Sequence, residues 1–314
     1  MKKLLVLLLE DDILGGVLSW PIRELGAKVR FYTKADHIRR AVEVNEPDVV
    51  LIDMPCGGPF MPSPETLAWI KEQCRSVRVV WDASDTAWHE YLEVYRAQET
   101  FDCVIAADGA TEWPHREGVD VSLPTPVDSQ WYEGPPQERI HRLGFSGSVG
   151  NTGPRHTILG DLEADRTLTP RYRGPRNLPY SGNADFYRQC KAVINVAHTT
   201  SGRLQCKARA IEAALAGCLL FETRGSPLSR WLTPGVDYVE YETPEQVREI
   251  MNTQAFGSGA MPSVMGERAR CKVLELDLPQ RFWGAVMGVP QLTDEELAEI
   301  AERAKPPDGW LDDA

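Results

Sequence analysis

Several things are missing from this 314-residue sequence, and each absence removes a class of protein. No apolar run approaches the ~20 residues a spanning helix needs. The opening MKKLLVLLL imitates a leader, but its apolar stretch Leu4–Leu9 stops at Glu10-Asp11-Asp12 and carries no small-residue cleavage site. A buried first strand is therefore expected. The seven cysteines (56, 74, 103, 190, 206, 218, 271) never form C-x-x-C, so neither a disulfide framework nor a zinc site follows. A reducing cytoplasm is the simplest location. There is no internal repeat and no recognisable DNA-binding module. What is present is ordinary: 42% hydrophobic and 25% charged residues exclude collagen-like, disordered and membrane compositions.

Positive charge is also scarce, with a net charge of −12, which argues against a general nucleic-acid binder. The average hides a gradient. From Arg139 to Arg209 twelve basic residues face four acidic ones, a net +8, whereas Gln291–Ala314 carries eight acids against two bases, a net −6. Something anionic is expected to meet the middle of the chain; a merely solvated basic face is the alternative.

Strand and helix signals alternate with short connections. Lys3–Leu9, Lys28–Tyr32, Asp48–Asp53, Arg78–Trp81 and Phe101–Ala107 read as strands. Gly15–Leu25, Ala35–Val44, Thr66–Cys74 and Thr86–Gln98 read as the helices between them. A loop-rich passage with prolines 114, 124, 126, 135 and 136 then ends in a linker. A second series follows. Its strands are Leu143–Val149, Ala192–Ala197, Cys218–Glu222 and Val236–Tyr241, with helices near Arg155–Leu162, Asp185–Cys190, Gln205–Ala216 and Pro244–Met251. Gly266–Met287 reads as helix broken at Pro279, and Asp294–Ala304 as a last helix opened by the capping box Thr293-x-x-Glu296. This is an α/β pattern of two doubly wound, Rossmann-like domains, expected to face each other with ligand between the carboxyl ends of their strands. The expected divisions are 1–138, 139–275, and 276–314 for helices returning toward the first domain with an acidic tail.

Asp11 and Asp12 after the first strand and Asp53 after the third suggest a receiver-like carboxylate cluster able to hold Mg²⁺. Against it, Asp108-Gly109 follows FDCVIAA, with no lysine where a receiver has one. A second feature is Gly144–Arg155 (GFSGSVGNTGPR), a strand running into a glycine-rich turn and a helix. Gly147 and Ser148 allow close approach of an anion, free helix N–H groups attract phosphate, and Arg155 adds a bidentate donor. The strict G-x-G-x-x-G of dinucleotide enzymes is absent. Third, the helix KARAIEAALAG carries Lys207 and Arg209 in its opening turns and Glu212 a turn later. Cations there oppose the macrodipole, so an anionic ligand is a reasonable cause. Alternatively both cations are solvated and Glu212 pairs with one of them.

RAIEAALAGCLLFET, followed by WLTPGVDYVEYETPEQVREIM, resembles the C-terminal half of GT-B glycosyltransferases of the CgeB (spore-maturation protein) type. Four motifs of that family recur here in order: Gly144–Ser148, Arg155, Arg209–Gly217 and Pro234–Asp237. FYRQCKAVINV and DLPQRFW also fit, and the resemblance covers roughly Phe101–Met287. It implies a GT-B fold and a nucleotide-sugar co-substrate, a UDP-sugar, bound mainly by the second domain. Glu212 would hold the donor ribose, with Arg155, Lys207, Arg209, Gly147 and Ser148 around the diphosphate. Cations can stabilise that leaving group without a metal, so none is expected. The earlier glutamate of many retaining relatives would fall at Leu204, so a retaining outcome is not implied.

The first domain should supply the acceptor side and a base. Asp85, Asp82 and Asp11 lie at or beyond strand ends, and Asp85 is equally suited to capping the helix that follows. Trp81, Trp88 and His89 could stack on or hold an acceptor. Relatives of this type act on surface glycans and spore layers, and similar phage enzymes glycosylate hydroxymethylated bases in DNA. The motif RTLTPRYRGPRN, interleaving Arg171, Arg173 and Arg176 with Tyr172, suits phosphate contacts. A hydroxymethylated pyrimidine in phage DNA is thus the leading acceptor, with a cell-surface or spore glycan as the alternative. A non-catalytic nucleotide-sugar-binding or receiver-like regulatory protein is the reading from another class.

Overall fold

The computed structural model describes residues 2–8, 15–31, 35–53, 62–80, 101–107, 120–147, 149, 153–172, 180–198 and 204–289. The chain divides into two compact units. Unit 1 takes in Met1–Asp128 together with Leu278–Gln291, and unit 2 takes in Ser129–Asp277.

Unit 1 is built on β1 (Leu4–Leu8), β2 (Lys28–Phe31), β3 (Val49–Asp53), β4 (Arg75–Val80), β5 (Cys103–Ala107) and β6 (Val121–Leu123). All pairings are parallel, in the order β2-β1-β3-β4-β5-β6. Residues 4–7 and all five of β5 are buried, as continuous apolar runs in a sheet covered on both faces require. The helices are α1 (Gly15–Leu25), α2 (Ala35–Asn45) and α3 (Pro64–Gln73). Leu5, Leu7, Val50 and Ile52 pack with Ile38, Val42, Leu67 and Ile70 to form the core. The start of α3 is fixed by Ser63, whose hydroxyl accepts from Thr66 N–H, and by Pro64 just inside the helix. At the unit's end the buried Asp128 accepts from Ser19 Oγ at 2.7 Å and Arg23 Nη1 at 2.8 Å, both on α1.

Unit 2 has β7 (His141–Gly147), β8 (Thr169–Tyr172), β9 (Cys190–Asn195), β10 (Leu219–Thr223) and β11 (Val239–Tyr241). These are again all parallel, in the order β11-β10-β9-β7-β8. Its helices are α4 (Pro154–Ala164), α5 (Tyr180–Arg188), α6 (Ala208–Leu215), α7 (Pro244–Met251), α8 (Gln254–Gly257) and α9 (Ala260–Leu276). Thr243 and Gln246 form a reciprocal capping box that starts α7 at Pro244, where the pattern predicts it. The final helix, α10 (Leu278–Met287), packs on α1, β3, β5 and β6 of unit 1. Asp277, in the left-handed region at φ 44°, separates it from α9, so the break falls two residues ahead of Pro279.

Two strands depart from the sequence expectation. β6 lies within the proline-rich passage read as loop; three residues followed at once by Pro124 and Pro126 give too short a pattern to stand out. β8 occupies part of RTLTPRYRGPRN, read above only as a phosphate-contact motif. It is an edge strand, the one place in a sheet that accepts Pro170 without losing a ladder bond. The segments 86–98 and 294–304 lie outside the described residues.

α6 is buried along almost its whole length and packs on β9, β10 and α9. The approach to α9 is close enough that a side-chain carbon on Gly266 would sit 2.3 Å from the carbonyl oxygen of Gly217. Arg139 fastens the far end of α6. Its Nη2 donates to the Ala216 and Gly217 carbonyls at 2.8 and 2.9 Å, and its Nη1 to the Cys190 carbonyl. Those helix-end carbonyls have no partner within α6, so the guanidinium acts as its cap.

Candidate functional site

In unit 2 the strand order reverses beside β7, with β8 on one side and β9 on the other. An open parallel sheet holds its ligand at the carboxyl edge of such a switch point. Polar residues interrupt the apolar strands at that edge: Ser146 and Gly147 end β7, Asn195 ends β9, and Glu222 and Thr223 end β10. All except Gly147 are buried polar side chains at 6% exposure or less, in positions where a packed strand would otherwise hold aliphatic residues.

Two networks occupy this edge. In the first, Glu212 Oε1 accepts from Tyr180 Oη at 2.8 Å and from Asn183 Nδ2 at 3.2 Å. Asn183 Oδ1 accepts from Ser146 Oγ at 2.5 Å. Tyr132 Oη lies 2.9 Å from Tyr180 Oη. Since Tyr180 gives its proton to the carboxylate, Tyr132 is the donor in that pair. Burial, and then the Glu212 charge, push both phenols well above the ordinary tyrosine range, so both stay protonated. Glu212 is 2% exposed, and its Oε2 is buried with no hydrogen-bond partner.

In the second network Arg209 lies over the Phe145 ring, 5.0 Å from its centroid, and donates from Nε to Asn195 Oδ1 at 3.2 Å. Asn195 Nδ2 in turn donates to Glu222 Oε2 at 2.8 Å. Burial pushes the Glu222 carboxyl up to about 8, even though Asn195, Ser226 and Arg209 all pull it down. At neutral pH it is therefore protonated and leaves the Arg209 charge uncancelled. Arg209 Nη2 is buried without a hydrogen-bond partner. The same guanidinium explains Gly147. A side-chain carbon there would lie 2.6 Å from Arg209 Nη1, and the backbone has φ 141°.

Arg155, in the first turn of α4, donates from Nη2 to the His198 carbonyl at 2.9 Å, just past β9. The His198 imidazole is held below its ordinary value by burial and then by Arg155, and its Nδ1 is buried without a partner. α4 itself begins at Pro154 after Gly153, with no side chain capping its first amides.

Of the residues expected at a donor site, Gly147, Arg155, Lys207, Arg209 and Glu212 all come from elements that begin or end at this edge. Lys207 precedes α6 and its ammonium bonds to Gln205 Oε1. Glu212 does not pair with either neighbouring cation; its partners are Tyr180 and Asn183. Ser148, Asp11, Asp82, Asp85, Trp81, Trp88, His89, Arg173 and Arg176 lie outside the described residues, as does the side chain of Arg171. Among the described residues no three His, Cys, Asp or Glu side chains converge as a metal site needs. No described helix is long and apolar enough to cross a membrane.

Part of the +8 stretch turns inward. Arg139, Arg142, Arg155 and Arg188 donate to backbone carbonyls within unit 2, and Arg209 donates to Asn195. Sequence reasoning missed Ser146, Asn183, Tyr180, Asn195, His198 and Glu222. For Ser146, Asn195 and Glu222 the available signal was a polar residue at the end of an otherwise apolar strand; Tyr180 and Asn183, on α5, and His198, past β9, carried no such signal.

Residues 145–281 match the family model described as glycosyl transferase-like. Solved structures share the α/β fold along most of the chain. HepE of Anabaena, in complex with UDP-glucose, has a TM-score of 0.58 at 11% identity, over 96% of this chain and 100% of that one. Sucrose-phosphate synthase from Thermosynechococcus elongatus has a TM-score of 0.57 at 11% identity, over 96% and 99%. A glycosyltransferase from Rickettsia africae has a TM-score of 0.58 at 8% identity, over 92% and 99%. Comparison with curated proteins gives no match. At such identities the likeness shows the fold alone, the α/β class with parallel sheets of GT-B glycosyltransferases expected from the sequence.

Proposed function

We propose that this chain, a glycosyltransferase of GT-B fold, binds a UDP-sugar at the carboxyl edge of its second sheet and passes the sugar to an acceptor hydroxyl. The observation that carries the donor reading is Glu212, a buried carboxylate with one oxygen satisfied twice and the other not at all. A ribose hydroxyl complements Oε2, and a diphosphate oxygen complements Arg209 Nη2. The UDP-glucose held by HepE supports a uridine nucleotide. Arg155, Lys207, Gly147 and Ser148 complete the proposed donor set.

In the transfer, the acceptor oxygen bonds to the anomeric carbon while the bond from that carbon to the diphosphate breaks. The electron pair leaves on UDP, where Arg155 and Arg209 balance the developing charge. The hydroxyl proton passes to a carboxylate of unit 1; Asp85 is our choice, with Asp82 and Asp11 the alternatives. Trp81, Trp88 and His89 would line the acceptor side.

The acceptor we propose is a hydroxymethylated pyrimidine of DNA, supported by the +8 stretch. Arg171, Arg173 and Arg176 form the contact set, since Arg139, Arg142 and Arg188 are engaged inside unit 2. Replacing all three with alanine should flatten the log K against log salt slope by about 3 × 0.9 units without altering UDP release. Wild-type protein with no salt-dependent affinity for such DNA transfers elsewhere, to a surface or spore glycan.

Calorimetry with UDP-glucose tests the donor reading. Arg209→Met should weaken binding by roughly 10- to 150-fold, the value of a charge-assisted hydrogen bond. Undiminished affinity removes Arg209 from the site. UDP release from UDP-glucose without acceptor separates an enzyme from a non-catalytic binder.

A further inference from the structure

We infer that Tyr180 and Asn183 are positioning residues that aim Glu212 and so set the preference of the site for a ribonucleotide over a deoxyribonucleotide. The inference rests on the donor reading above and deepens it. A carboxylate on a helix can turn about its last torsion, and with two free oxygens it presents no single acceptor direction. Here Oε1 is taken by two donors from α5, one turn apart: Tyr180 Oη at 2.8 Å and Asn183 Nδ2 at 3.2 Å. The carboxylate plane is fixed by that pair, and Oε2 is left as the sole open acceptor.

Each donor is itself held. The Asn183 amide cannot turn over, because its oxygen would then face the carboxylate; Ser146 Oγ, at 2.5 Å, donates to that oxygen in the observed orientation. Tyr180 is held by Tyr132 Oη at 2.9 Å, and its ring meets that of Trp131 edge-on with centroids 5.4 Å apart. The two donors of α5 that hold this oxygen of α6 are thus themselves held from two further elements, the short turn Ser129–Tyr132 and β7. Burial makes the arrangement costly to leave incomplete, since Asn183 and Tyr132 are 5% and 4% exposed.

A buried acceptor of fixed direction discriminates strongly, because a ligand that lacks the matching hydroxyl leaves it unpaired. An untethered carboxylate would turn toward another donor and lose that selectivity.

The experiment compares UDP with 2′-deoxy-UDP and 3′-deoxy-UDP by calorimetry, with melting temperatures taken alongside. Wild type should prefer UDP over at least one deoxy analogue by roughly 10-fold or more. Tyr180→Phe keeps the ring and removes only the donor. It should bind UDP roughly 3- to 30-fold more weakly and cut the preference by a similar factor. Asn183→Ala should act in the same sense, and Tyr132→Phe, one bond further out, less strongly. A loss of melting temperature with the preference intact means the residues are merely structural, and the inference fails. Glu212→Gln separates the two levels. If it keeps the preference, Glu212 does not read the ribose and the donor reading fails. If it abolishes the preference while Tyr180→Phe and Asn183→Ala retain it, the donor reading stands and the positioning roles are overturned.

Discussion

The Glu222→Gln variant should be more stable than the wild type in mild alkali and no more stable in acid. Glu222 has no solvent exposure, and burial raises its carboxyl from 4.5 to about 8. Between those two values the folded protein keeps a proton that the unfolded chain has released. Wild-type stability therefore includes a contribution that is complete below pH 4.5 and disappears as the pH rises through about 8. One proton sets the slope at about 1.4 kcal/mol per pH unit inside the window. Across the window the loss amounts to roughly 3–5 kcal/mol. Glutamine mimics the protonated acid in shape and can still accept from Asn195 Nδ2, but it has no proton to lose. Urea titrations of both proteins at half-unit steps from pH 5 to 8.5 give the difference curve, in which every other titrating group cancels. The curve should climb in favour of the variant as pH increases. Parallel pH profiles would falsify the assignment of a neutral acid at position 222, and with it the argument that Arg209 keeps its full charge.

Three further outcomes are expected. Gly266→Ala should lower stability by about 2 kcal/mol or more, read as a lower urea midpoint, because the atom in its way is the backbone carbonyl of Gly217 rather than a yielding side chain. Gly147→Ala should cost about 1–3 kcal/mol through its φ of 141° and should also weaken UDP binding by displacing Arg209; unchanged affinity would detach that turn from the ligand. If the proposed donor site holds, transfer activity should survive EDTA, because Arg155 and Arg209 would supply the charge opposite the diphosphate. Complete loss that Mg²⁺ restores would return Asp11, Asp12 and Asp53 to consideration.

The strands and helices that were legible in the sequence are those with long, unambiguous patterns. Continuous apolar runs gave β1, β3, β9 and β10, and the proline after Thr243 gave the first residue of α7. Short edge strands were illegible for a physical reason. β6 has three residues and β8 contains a proline, so neither carries enough alternation to separate it from loop. The site was legible only where charge marked it. Arg155, Arg209 and Glu212 stood out because cations sit in the opening turns of two helices and a carboxylate follows a turn later in one of them. Their partners did not, because Ser146, Asn183 and Asn195 are uncharged and gain their significance from residues 14 to 37 positions away. Glu212 shows the difference most clearly. From sequence it is a candidate partner for a neighbouring cation, whereas in the fold its partners come from another helix.

The segment from Ser129 to Arg139 bears on how the second unit can be cut out and handled alone. A fragment trimmed to the matched residues 145–281 would discard Tyr132, Arg139 and the first half of β7. It would take the hydrogen-bond donor from Tyr180 and strip the cap from the last carbonyls of α6. Gly134 and Pro135 would go too, although Arg188 packs against the first and donates to the carbonyl of the second. Such a fragment begins inside the structure it is meant to isolate. A fragment that starts ahead of Ser129 keeps each of these groups with its partner, and that is where a cloning boundary belongs.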